Sequence, residues 1–199
     1  GFTDVPESLD LLGRDRISFG GDPAFFCGQD VLVTGAAGTI GSALVRSLRH
    51  AGVAVCGVDR HSANEVDVQG DLCDTTFLKM VLAGRSIVFH AAALKHVDRA
   101  ELDPDLAWRI NRDLVREICH ARQPGSRLLI VSTDKAAFPL GVMGQSKREA
   151  EGIVQSNGEQ GPALVVRFPN ILGSSDSVLP IWANQMSSDQ PLTLTAVSY

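Results

Sequence analysis

Residues 30–42 read DVLVTGAAGTIGS: a β-rich apolar run, three glycines spaced three apart, and the start of a helical pattern. Residues 31–34 have the composition of a strand buried on both faces, and the helical period runs over residues 40–50. A strand, a glycine-rich turn and a helix in that order make a cradle for an anion. Gly35 permits the tight turn, Gly38 lets a pyrophosphate approach the backbone, and Gly41 allows close packing of the helix. The helix N-terminus adds partial positive charge. Gly35, Ala37, Gly38, Thr39 and Ile40 are therefore candidate contacts to a dinucleotide, the alternative being a tight structural turn.

Outward from this turn, short β-rich runs alternate with helical segments. Strands are expected at 53–58, 66–68, 86–89, 127–131 and 163–168, and helices at 75–83, 105–122 and 142–155, the second starting just after Pro104. That order predicts an α/β fold with a doubly wound parallel sheet of the Rossmann type. Residues 1–29 read as an irregular leader or linker and 30–169 as the nucleotide-binding domain. Residues 170–199 hold a helix candidate at 179–186 and a strand-like 192–195, part of a substrate-binding region.

The composition suits one globular core: 199 residues, 44% hydrophobic and 21% charged. A formal net charge of −5, with Lys and Arg scattered, argues against a nucleic-acid partner. Cys27, Cys56, Cys73 and Cys119 lie far apart without metal-ligand spacing, as reduced thiols of a cytoplasmic protein do. No apolar run is long enough to span a membrane. The chain starts at Gly1 without a Met, so it reads as a piece of a longer protein.

Ligands of open α/β sheets sit at the carboxyl ends of the strands, which marks several residues. Asp59 ends the second strand, where a carboxylate accepts the ribose hydroxyls and repels a 2′-phosphate, favouring NAD; Arg60 beside it is a countersign for NADP. Asp71, followed by Leu72, either reaches the adenine or serves as a turn and helix-capping residue. Small residues at Ala91, Ala92 and Ala93 let a cofactor lie close, and Lys95 and His96 follow at the same crevice. Asn111 falls mid-helix, where it is either exposed or holds a water or backbone group near the site. At the end of 127–131 come Ser132, Thr133, Asp134 and Lys135; Met143 and Lys147, four apart, share the helix face that looks back at them.

TGAAGTIGS, GDLCD, FHAAALKHVD, STDKAAFPLGVMGQSK and VRFPNILGSSDSVLP together resemble the extended short-chain dehydrogenase/reductase superfamily. More narrowly they resemble the nucleotide-sugar 4,6-dehydratases of its polysaccharide-biosynthesis, CapD-like branch, and DLLGRD resembles the segment joining a membrane region to the soluble domain in long members. The resemblance implies a lyase that uses tightly held NAD as an internal redox relay on UDP-N-acetylglucosamine. Hydride leaves sugar C4, water is lost across C5 and C6, and hydride returns to C6. By position, Asp134 would protonate the departing 6-hydroxyl, Lys135 would take the C5 proton, Thr133 would bond the 4-oxygen, and Lys147 would bind the nicotinamide ribose. The superfamily's tyrosine base is Met143 here, a feature of the long dehydratases. A thioether accepts no such proton, leaving the 4-hydroxyl to a water held by Thr133 and Asp134.

Asp98, Gly141 and Pro169 depart from the family pattern, and Asn170 with residues 173–178 remains a candidate substrate contact. The familiar substrate lid would follow residues 191–195, where this sequence continues only to Tyr199. Helices 105–122 and 142–155 resemble a superfamily dimer interface, so a homodimer is expected. A full-length protein with an anchor would sit on the cytosolic face of a membrane. The rival readings are a C5-inverting dehydratase, a 4-epimerase, and a non-catalytic NAD- or nucleotide-sugar-binding module.

Overall fold

A computed structural model describes residues 22–157, 160–171, 174 and 178–193. The chain divides into two compact units, one of them Pro23–Pro169 and the other holding the described residues from Asn170 onward.

In the first unit, β1 (Val31–Thr34), β2 (Val55–Asp59), β3 (Val68–Gln69), β4 (Ile87–His90), β5 (Arg127–Thr133) and β6 (Ala163–Phe168) form one sheet. Its order is β3-β2-β1-β4-β5-β6 and the pairings are parallel. This is the doubly wound Rossmann order, reversing direction between β1 and β4. All four residues of β1 are buried, because β2 and β4 flank it and both faces are covered.

The two faces take alternate residues of each strand, as the pleat requires. Leu32, Val88, Leu128 and Ile130 face one core with residues of α2 (Thr75–Leu82), α5 (Leu114–Ala121) and α6 (Val142–Ser156). Val31, Val33 and Ile87 face the other with Val45 and Leu48 of α1 (Thr39–His50). A crossover from β1 outward to β2 and crossovers from β3 toward β6 must lie on opposite faces if all are right-handed, which accounts for the segregation. Phe26, in the 3-10 turn Pro23–Phe26, packs against Phe89 at 6.4 Å, so the end of the expected leader belongs to this core; residues 1–21 lie outside the described set.

Several boundaries differ from expectation. β5 runs on to Thr133, so Ser132 and Thr133 are strand residues paired with Arg167 and Phe168 rather than residues beyond a strand. β3 is Val68–Gln69 and excludes Val66. The expected helix 105–122 begins one residue earlier, with Pro104 at its first position and Asp103 capping Leu106 N at 3.0 Å. It comprises α4 (Pro104–Trp108), a π-turn over Arg109–Asp113, and α5. An additional helix, α3 (Val97–Leu102), follows β4; its six residues are too few for periodicity to reveal.

In the second unit α7 (Val178–Ser187) forms, and Trp182 Nε1 donates to the Thr193 carbonyl at 2.9 Å. Leu192 and Thr193 are not in a strand, contrary to expectation; residues 194 and 195 lie outside the described set. The four cysteines are free thiols, Cys119 buried and Cys56 half-buried. Among the described residues no helix is long and apolar enough to cross a membrane.

Candidate active site

The glycine turn is shaped by contact with the end of β4. Gly35 has φ +73°, and a Cβ there would sit 2.5 Å from Ala92 N and 2.6 Å from the Ala91 carbonyl carbon, so only glycine fits. A Cβ on Gly41 would run into the Gly35 carbonyl, which is why α1 can lie so close to the turn. No side chain caps α1, whose N-cap is the exposed Gly38, so its leading N–H groups remain available to an anion. Ala37, Thr39 and Ile40 are half-buried around them.

Asp59 stands beside this turn. Its carboxylate accepts from Ala37 N at 3.1 Å and His61 N at 2.9 Å, which ties the end of β2 to the cradle. The Arg60 guanidinium is exposed and donates from Nε to His61 Nε2 at 3.0 Å. Asp71 is exposed and closes an Asx turn on Cys73 N at 2.9 Å; the cap of α2 is instead Asp74, which accepts from Thr76 N and Phe77 N. Leu72 turns its side chain into the core, so only its backbone is left for a cofactor.

Beyond β4, Ala91 and Ala92 are half-buried and Ala93 exposed. Leu94 is buried, Lys95 exposed, and His96 is the N-cap residue of α3. Asn111 was a substrate candidate, and the structure decides between the two placements the sequence left open. It is fully buried in the π-turn, accepting from Leu94 N at 2.8 Å and donating to Leu94 O at 3.1 Å and Ser146 Oγ at 3.1 Å. Its amide is spent on holding the Ala93–Leu94 backbone, the second of the two roles the sequence left open.

At β5, Thr133 Oγ1 donates to Asp134 Oδ1 at 2.9 Å, and Lys135 Nζ reaches the same oxygen at 3.3 Å. The Thr133 hydroxyl, with help from Lys135, holds the Asp134 carboxyl below its ordinary range. Lys147 is buried and donates from Nζ to the Val131 carbonyl at 2.8 Å; burial pushes its ammonium down to about 8, with Glu151 pulling the other way. Met143, on the same face, packs with Leu94, Ala100 and Ala107, so it shapes the site without being a reacting group. Ile130 pairs with His90, so Val131–Thr133 project past the end of β4. Asn170 is exposed and belongs to the other unit; of residues 173–178, only Ser174 and the helical backbone of Val178 are described.

Three side chains that the sequence did not single out complete the site. His90 is buried, pairs with Thr34 Oγ1 at 2.7 Å, and is kept neutral, its pKa pushed from 6.5 to about 3 by burial and by the Lys147 charge. Glu151 and Arg167 form an ion pair of 2.6 Å behind Lys147. The four-residue interval from Lys147 to Glu151 was a readable sign of a shared helix face. Nothing local announced Arg167.

A family model described as polysaccharide biosynthesis protein matches residues 53–198. The capsular polysaccharide biosynthesis protein CapD of Staphylococcus aureus is 34% identical over 95% of this chain and 36% of that protein. A UDP-glucose 4-epimerase of Rickettsia felis is 33% identical over 65% of this chain and 40% of its own length. The chain thus spans little more than a third of these curated relatives. Among solved structures, MoeE5 in complex with UDP-glucose and NAD superposes with a TM-score of 0.62, 30% identity, and coverage of 69% of this chain and 52% of that one.

Proposed function

The chain belongs to the polysaccharide biosynthesis protein family, a branch of the extended short-chain dehydrogenases/reductases, and on that premise we propose that it carries the cofactor-binding and catalytic core of an NAD-dependent UDP-N-acetylhexosamine 4,6-dehydratase. UDP-N-acetylglucosamine is the substrate to test first. The observation that supports this most is the Thr133–Asp134–Lys135 chain, bonded at 2.9 and 3.3 Å at the carboxyl end of β5.

The residues fit NAD. The cradle between Gly35 and the uncapped start of α1 suits a pyrophosphate, and the Asp59 carboxylate suits an unphosphorylated ribose. Ala91, Ala92 and Ala93 leave room beside β4, and Lys147 is the candidate for the nicotinamide ribose. When bound, NAD supplies a hydride acceptor for sugar C4 and a donor for C6.

The chain's own groups manage the protons. Asp134 is ionised, so it begins as an acceptor: the 4-hydroxyl proton passes through the Thr133 hydroxyl to Asp134 as the C4 hydride departs. Lys135 Nζ lies 3.3 Å from the same carboxylate oxygen and serves, in its amine form, as the base for the next step. Lys135 then takes the C5 proton, made acidic by the 4-ketone, while Asp134 returns its proton to the departing 6-hydroxyl and water leaves. Lys135 finally gives a proton back to C5, which leaves Asp134 ionised and Lys135 an amine, as at the start. Met143 takes no part in proton transfer.

The test is proton NMR of the chain with UDP-N-acetylglucosamine and NAD in deuterated water. A C6 methyl doublet collapsing to a singlet as deuterium enters C5 supports the dehydratase. The Rickettsia relative favours 4-epimerisation as a second reading; there an axial 4-hydroxyl product appears without a methyl. A homodimer, with exposed Glu117, His120, Arg148 and Glu149 on its candidate face, is tested by mass in light scattering.

A further inference from the structure

Two successive residues of β5 grip two successive turns of α6. The Val131 carbonyl accepts from Lys147 Nζ at 2.8 Å, and the Ser132 hydroxyl donates to Glu151 Oε1 at 2.5 Å. Lys147 is 7% exposed and Glu151 4%. On the far side of Glu151, Arg167 donates from Nε at 2.9 Å and Nη2 at 2.6 Å, and Arg167 is the register partner of Ser132 across β5 and β6. An ionised carboxylate this deep is unfavourable unless donors surround it, and here two side chains supply them.

We propose that Glu151, clamped between Ser132 and Arg167, is a positioning residue that keeps the Lys147 ammonium seated and charged at the carboxyl end of β5. Burial works to strip the proton from Lys147, and a carboxylate one turn along the helix opposes it. The groups acting on Lys147 are His90 on β4, which is neutral, Glu151 on α6, and, behind it, Arg167 on β6, which draws on the same carboxylate. Arg167 therefore trims what Glu151 gives to Lys147. This inference rests on the dehydratase reading only for the use made of the charge.

The chain has four lysines, at 79, 95, 135 and 147, so the side-chain carbons of 13C-lysine-labelled protein can be titrated singly, with Lys147→Arg assigning the signal. The native midpoint is expected at about 8. Glu151→Gln moves it down by about one pH unit, and Arg167→Met moves it up. Loosening that admitted water would raise both toward the ordinary 10.5, so opposite signs identify the electrostatic role. An unchanged or raised midpoint in folded Glu151→Gln overturns the proposal. If that variant does not fold, Arg167→Met is set against Arg167→Lys: a rise only on loss of the cation supports the proposal, and a rise in both or in neither overturns it. In a chain that turns over, the alkaline limb of kcat/KM shifts with the Lys147 midpoint. The titration needs neither NAD nor sugar, so absent turnover sinks the dehydratase reading and leaves this one to its own result.

Discussion

Replacing Asn111 with leucine tests how the crevice beside β4 keeps its shape. Leucine keeps the number and branching of asparagine's heavy atoms, so the change removes the hydrogen bonds without opening a cavity. It leaves Leu94 N and Leu94 O without the partners they have at 2.8 and 3.1 Å, while Ser146 Oγ keeps its bond to Met143 O at 3.0 Å. The Leu94 side chain is 4% exposed and locked among Ala100, Ala107 and Met143, so the segment cannot swing out to find water. Two orphaned buried backbone groups at ~1–3 kcal/mol each give a loss of about 4 kcal/mol. Against a total stability of roughly 5–15 kcal/mol that is a large fraction. Urea unfolding followed by circular dichroism should show a lower midpoint with an unchanged slope. A loss below about 1 kcal/mol would refute the argument that Asn111 anchors this loop.

The remaining predictions concern charge and catalysis. Unfolded histidine titrates near 6.5 and folded His90 near 3, so between them the unfolded state binds the extra proton and stability falls as pH falls. His90→Asn should flatten that acid slope by up to about 1.4 kcal/mol per pH unit, read from urea midpoints across the window. Asp59→Ser should weaken NAD by about tenfold or more and narrow its advantage over NADP, measured by calorimetry. An unaltered preference would remove Asp59 from the ribose site. Lys135→Ala should abolish C6 methyl formation while NAD affinity stays within about twofold; retained turnover would exclude Lys135 as the C5 base.

What could be read in advance was local. Residues 30–42 announce a strand, a turn and a helix because the hydrophobic period and glycine chemistry that make them lie within a few positions of one another. Repetition of that unit, with the right-handed rule, then leaves little freedom in the order of the sheet. Asp134 and Lys135 were legible for the same reason: a polar cluster ending an apolar run must sit at a strand terminus. The π-turn was not, since Asn111 and its partner Leu94 are 17 residues apart, and the turn shows only when both are placed.

The sequence by itself determined the doubly wound sheet, the glycine cradle and the charged end of β5, because backbone sterics and periodicity act between neighbours. Only the tertiary structure decided that Met143 is packing, that Asn111 is an internal clamp, that His90 is buried and neutral, and that Glu151 and Arg167 stand behind Lys147. Whether a side chain is charged, buried or paired depends on what β4, β5, β6 and α6 bring within a few ångströms of it, and that distance is a property of packing.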